Sequence, residues 1–112
     1  MSNDLREVVR LKTEDAVWTA LEEVIDPELG ANIVDLGLVY DLSVGEKGET
    51  KIEMTLTIPE CPLADEIVKR VNDAASAVPG VSGVEVSLVW EPKWTPAMMN
   101  DRAREEIRAR QT

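Results

Sequence analysis

The chain has 112 residues, 44% apolar and 30% charged, a size and balance that allow one domain around a single buried core. Its formal net charge of −10, from 22 acidic and 12 basic residues, argues against nucleic acid or an anionic membrane as partner and suits a basic partner or high salt. Histidine is absent and cysteine occurs once, which excludes Ser–His and Cys–His catalysis, an intrachain disulfide, and a zinc site built from several Cys and His.

No apolar run approaches the ~20 residues that span a bilayer. The opening stretch MSNDLREVVR lacks the apolar core of a signal peptide, so a cytoplasmic location is expected. Residues 1–12 carry little pattern beyond Val8, Val9 and Leu11 and read as a flexible or weakly helical arm. Residues 13–112 read as the domain. Thr13 has the character of an N-cap, with Glu14 and Asp15 suited to a first helical turn. Ala16, Val17, Ala20, Leu21, Val24 and Ile25 recur at helical spacing. Pro27 disfavours a helical Asp26, so this first helix is expected to end near Ile25.

DPELGANIVDLGLV is punctuated by Pro27, Gly30, Asn32 and Gly37 but is too apolar for a disordered linker, so it predicts a structured loop. A strand is expected from Leu38 to Val44, a turn at GEKGE, and a second strand from Lys51 to Ile58. In the second strand Ile52, Met54, Leu56 and Ile58 share one face. Pro62 suits the first position of a second helix, whose apolar stripe is Ala64, Ile67, Val68, Val71, Ala75 and Val78. A third strand is expected from Val84 to Trp90, and a third helix capped by Thr95 and begun by Pro96. The order α-β-β-α-β-α predicts an α+β two-layer sandwich, a three-stranded sheet with helices packed on one face.

This pattern puts Cys61 at or beside the N-cap of the second helix, where free N–H groups and the helix dipole favour a thiolate. A thiolate there could ligate a metal or attack an electrophile, while a buried structural thiol fits the position equally well. Thr57 is either an exposed strand residue or a hydroxyl directed at the same pocket. Asp26 and Glu28 either shape the turn before Pro27 or face the thiol. Asp35 carries the same two readings, and Trp90 and Trp94 read as packing residues or as an apolar rim.

Taken together, DPELGANIVDLGLVYDL, TLTIPECPLADEI, GVSGVEVSLVW and EPKWTPAMM resemble the SufT/PaaD-like family of small iron–sulfur cluster assembly domains over residues 14 to 107. The family's Asp-Pro-Glu falls on Asp26, Pro27 and Glu28, with Leu29 beside them, and its Thr-x-x-x-Cys-Pro on Thr57, Cys61 and Pro62. Two positions depart from the pattern: Ile58 stands where many members have a second threonine, and Glu60 where many have glycine. The zinc-binding extension of the PaaD-like branch does not follow, which points to a short SufT-like factor. The resemblance implies a non-catalytic accessory factor in cluster assembly or transfer, with Cys61 as a transient ligand to iron or to an iron–sulfur cluster shared with a partner. Its implied partners are scaffold or carrier proteins and client apo-enzymes, and it allows a homodimer. The rival reading is an adaptor that docks client and scaffold with Cys61 in a structural role. A thiol enzyme or redox sensor would lack both a histidine base and a resolving cysteine.

Overall fold

The computed structural model describes the backbone of residues 2–58 and 61–111. It has the expected order, with α1 (Ser2–Leu21), β1 (Val39–Val44), β2 (Glu49–Met54), α2 (Ala64–Ser76), β3 (Gly83–Leu88) and α3 (Asp101–Gln111). β2 is the central strand, antiparallel to β1 and parallel to β3. α2 is the crossover that parallel pairing requires. Alternation sorts the faces: Leu42, Val44, Ile52 and Met54 are buried toward the helices, while Asp41, Ser43, Lys51 and Glu53 lie exposed on the open face. α1 packs on α2 and β1, and α2 packs on β3, which makes the second layer. No helix among the described residues is long and apolar enough to cross a membrane.

Residues 2–12, expected as a flexible or weakly helical arm, are helical and continue without a break into the rest of α1. Thr13 is not a cap. It sits within the helix and its Oγ1 donates to the Val9 carbonyl at 3.0 Å, a back-bond to the preceding turn that a mid-helix threonine can make. The two halves of α1 differ in environment. Val17 and Leu21 are fully buried, while Leu5, Val8, Val9 and Leu11 remain in solvent. The molecule is accordingly elongated, with principal extents of 52 × 26 × 25 Å.

α1 ends at Leu21, four residues before the expected stop. The loop beyond it satisfies its own backbone. The Asp26 N–H donates to the Ala31 carbonyl at 2.9 Å and the Ile33 N–H to the Val24 carbonyl at 3.0 Å. This pairing explains its apolar composition, because Ala31, Ile33, Leu36 and Leu38 are fully buried core residues. Gly37 has φ 79°, and a Cβ there would lie 2.5 Å from the Met98 carbonyl oxygen, so the loop can touch the following C-terminal segment only through glycine.

The other boundaries shift for local reasons. β2 ends at Met54 because β1 offers no partner beyond Val39, although the Thr55 N–H still donates to the Leu38 carbonyl at 2.8 Å. Ile58, expected on the buried face, is 44% exposed. Pro62 does not begin α2; Leu63 is its N-cap and Ala64 its first residue. β3 stops at Leu88, which leaves Trp90 41% exposed. Thr95 and Pro96 open only a 3-10 turn, Pro96–Met98. The cap of α3 is Asn100, whose Oδ1 accepts the Ala103 N–H at 3.0 Å.

Candidate functional site

Asp26 builds one wall of the site. Its buried Oδ1 accepts the N–H groups of Glu28 at 2.8 Å and Leu29 at 3.1 Å, the Asx-turn geometry that aspartate favours before a turn. The Gly30 N–H closes the same turn on the Asp26 carbonyl at 2.8 Å. Leu29 anchors the turn by packing against the core. The turn presents Glu28 outward, and the Cys61 thiol donates to Glu28 Oε1 across 3.6 Å. Thus the Asp-Pro-Glu stretch and the cysteine, 33 residues apart from Glu28 in the chain, meet in space. Aspartate supplies the turn and glutamate supplies the contact.

Cys61 is half-buried and packs against the edge of the core. It lies two residues upstream of the Leu63 N-cap, and its carbonyl accepts the Ala64 N–H at 3.1 Å. The expectation of a thiol biased toward thiolate is reversed. Burial pushes the Cys61 thiol above its ordinary value, and the Glu28 and Asp26 carboxylates add to the rise. A hydrogen bond from the Leu63 backbone opposes them without overcoming them. The helix N-terminus therefore does act on the sulfur, but burial and negative neighbours outweigh it. Glu60, the acidic neighbour singled out in the sequence, lies outside the described residues.

Thr57 and Asp35 belong elsewhere. Thr57 lines a pocket of about 200 Å³ with Thr55, Leu56, Trp90, Glu91, Lys93 and Trp94, and Cys61 is not part of that lining. Trp94 is held by its own indole N–H, which donates to the Leu36 carbonyl at 2.7 Å. Asp35 is a buried tether. Its Oδ2 accepts Asn32 Nδ2 and its Oδ1 accepts Asn100 Nδ2, both at 2.7 Å. Arg102 Nε lies 3.4 Å from the same Oδ2. These bonds tie the loop after α1 to the start of α3, and none reaches the thiol. Asn32 and Asn100 were missed as partners. Their signal was present in the Asn-x-x-Asp spacing of 32 to 35 and in an asparagine just ahead of a helix.

Among the described residues no group of three or more His, Cys, Asp or Glu side chains is placed to hold a metal ion. Asp26 Oδ1 is already committed to two backbone N–H groups. The donor set is one thiol and one nearby carboxylate, which does not fit a resident iron–sulfur cluster with its usual four protein ligands.

The chain as a whole is similar to known proteins in both sequence and fold. A family model described as iron–sulfur cluster assembly protein matches residues 14–88. The chain belongs to this family. Within it, the chain is 48% identical over 91 residues to the Fe-S protein maturation auxiliary factor YitW of Bacillus subtilis, covering 81% of this chain and 89% of that one. It is 43% identical over 81 residues to the Fe-S protein maturation auxiliary factor SufT of Staphylococcus aureus, covering 72% and 92%. The fold matches the crystal structure of a domain of unknown function from Bacillus anthracis with a TM-score of 0.83 and 40% identity, covering 88% of this chain and 94% of that chain. Family membership and the three-stranded α+β fold thus agree with the sequence resemblance.

Proposed function

We propose that this domain is a SufT-like accessory factor that helps pass iron–sulfur clusters to client apo-proteins, with Cys61 as a transient ligand. The observation that carries the reading is the Cys61–Glu28 contact of 3.6 Å, built by two segments far apart in sequence. A thiol must lose its proton to bind iron. Glu28 Oε1, already the acceptor of that hydrogen bond, is the group positioned to receive the proton as a cluster arrives. A sulfur held protonated before that moment suits a ligand that engages briefly and then lets go. With a single thiol in the chain, the remaining ligands come from a scaffold or carrier, from the client, or from a second copy of the domain. The role is one of ligation and hand-over, not catalysis, and its setting is the cytoplasm. The relatives' names as maturation auxiliary factors support this assignment.

The test compares cluster occupancy of client enzymes in wild-type cells and in cells carrying Cys61→Ser, grown with limiting iron. Lower occupancy in the variant is expected. Equal occupancy removes the thiol from the mechanism. Anaerobic reconstitution with iron and sulfide, read by absorbance and by mass, separates ligation by this chain from ligation by its partners.

A second reading has its own support. Cys61 packs against the core and its thiol is pushed away from the reactive form, as a structural cysteine would be. The domain would then be an adaptor that joins client and scaffold. Cys61→Ser would be silent, and Trp90→Ala at the exposed rim would abolish partner pull-down.

A further inference from the structure

Where β1 begins and β2 and β3 end, an open groove of about 720 Å³ lies apart from Cys61, lined in part by Tyr40, Glu53, Val89, Glu91, Pro92 and Met98. The β1–β2 register shifts between Val39 and Asp41, and this bulge re-aims Tyr40. The Tyr40 hydroxyl donates to the Pro92 carbonyl at 2.7 Å, which holds the ring in the groove wall. Glu91 also lines the neighbouring pocket of Trp90 and Trp94, so the two depressions adjoin. The result is an apolar and aromatic trough carrying carboxylates along its side.

Glu53 and Glu91 line the groove itself, and Asp41 stands beside Glu53 just outside that lining. Asp41 and Glu53 are direct register partners across the antiparallel ladder, and both are exposed on the open face. Like charges in that position repel and destabilise the pair. Among the described residues neither of them, nor Glu91, forms an ion pair. The sheet's own cation, Lys51, is registered with Ser43 on one side and Glu85 on the other. Lys93 lines the tryptophan pocket and not the groove. The fold thus places Glu53 and Glu91 in one groove with Tyr40, with Asp41 next to Glu53 across the ladder and none of the three in an ion pair among the described residues.

We propose that this groove docks an arginine-bearing segment of a partner protein. A guanidinium satisfies both features at once: its planar fork pairs with carboxylates and its face stacks on tyrosine or tryptophan. Lysine offers only a point charge. The net charge of −10 adds long-range attraction for such a segment. This inference rests on the reading that the domain works by engaging protein partners, and it names the chemistry of one contact. The Cys61 test reads cluster occupancy and the groove test reads peptide affinity, so failure of one is told apart from failure of the other.

The test uses the full chain and an acetylated hexa-arginine peptide, with affinity measured by calorimetry. One variant combines Asp41→Asn, Glu53→Gln and Glu91→Gln. A control with the same net charge combines Asp15→Asn, Glu46→Gln and Glu106→Gln, all exposed and away from the groove. The groove variant is expected to lose about tenfold or more in affinity and the control about twofold or less. Peptide addition should shift the amide signals of Tyr40 and Val89. Relief of the Asp41–Glu53 repulsion should leave the groove variant's thermal midpoint at or above wild type. Equal losses in the two variants, shifts confined to other surfaces, or hexa-lysine binding as tightly as hexa-arginine would each overturn the proposal.

Discussion

Asp35→Ala should be among the most damaging single substitutions of a polar residue in this chain. Asp35 is only 4% exposed, and its two carboxylate oxygens each accept a side-chain amide at 2.7 Å. Hydrogen bonds to a charged group contribute roughly 1.5–3 kcal/mol apiece. The Arg102 contact at 3.4 Å adds little, because that side chain is 67% exposed. No buried side-chain nitrogen or oxygen among the described residues lacks a partner, so truncation would create an orphaned buried donor on Asn32 where none exists, while the exposed Asn100 loses its anchor and turns to water. The expected loss is about 3–5 kcal/mol, a large part of the roughly 5–15 kcal/mol that holds a domain of this kind together. Urea unfolding with an unchanged slope would measure it. Hydrogen exchange should open first along α3, since Asn100 both caps that helix and bonds Asp35. A loss below about 1 kcal/mol, within the range of an ordinary surface substitution or a little above, would refute the tether argument.

Three further outcomes follow from the geometry. Because burial and then Glu28 hold the thiol above its ordinary 9.0, Cys61 should alkylate more slowly than a free cysteine near that pH, and Glu28→Gln should speed it. By the same sign, Cys61 contributes stability fully present below its unfolded value and lost as pH rises through the folded one; iodoacetamide rates against pH check the order, and an unchanged profile in Glu28→Gln counts against the contact. Gly37→Ala should destabilise by about 1–2 kcal/mol from positive φ alone, and more because the Met98 carbonyl must move; a neutral effect on the thermal midpoint would contradict the close approach. Met54→Ala, at a fully buried position on the central strand, should lose about 2–5 kcal/mol in chemical unfolding.

The sequence carried the order of elements and the residues of the central strand because alternation and helical stripes are local signals. Ile52 and Met54 were readable on that basis, and so were Ile67, Val71 and Ala75. Ile58 was not, because whether an alternating run stays in a sheet depends on a partner strand, and β1 has none to offer beyond Val39. Thr13 misled for a similar reason: a threonine followed by acids looks like a cap, yet the same hydroxyl can bond backward within a helix. The site divided along the same line. The Asx turn at Asp26 is local and was legible. The meeting of Glu28 with Cys61 stood in the sequence only as one of two readings of the loop carboxylates, since it joins segments 33 residues apart. Asp35 could not be sorted from sequence, because its second amide partner, Asn100, lies 65 positions away. The direction of the thiol's shift was also beyond the sequence, which shows a helix dipole but not the burial opposing it.

The projecting first half of α1 has a consequence for anyone who weighs the protein in solution. A compact chain of about 100 residues has a radius of gyration near 13 Å, whereas this one has 14.9 Å and a long axis of 52 Å against short axes of 26 and 25 Å. Such a rod tumbles and diffuses more slowly than a sphere of the same 12.4 kDa. It will leave a sizing column early and broaden its resonances as a heavier particle would. Elution volume therefore mixes shape with copy number, and the count of chains per particle has to come from a mass-sensitive method such as light scattering or native mass spectrometry.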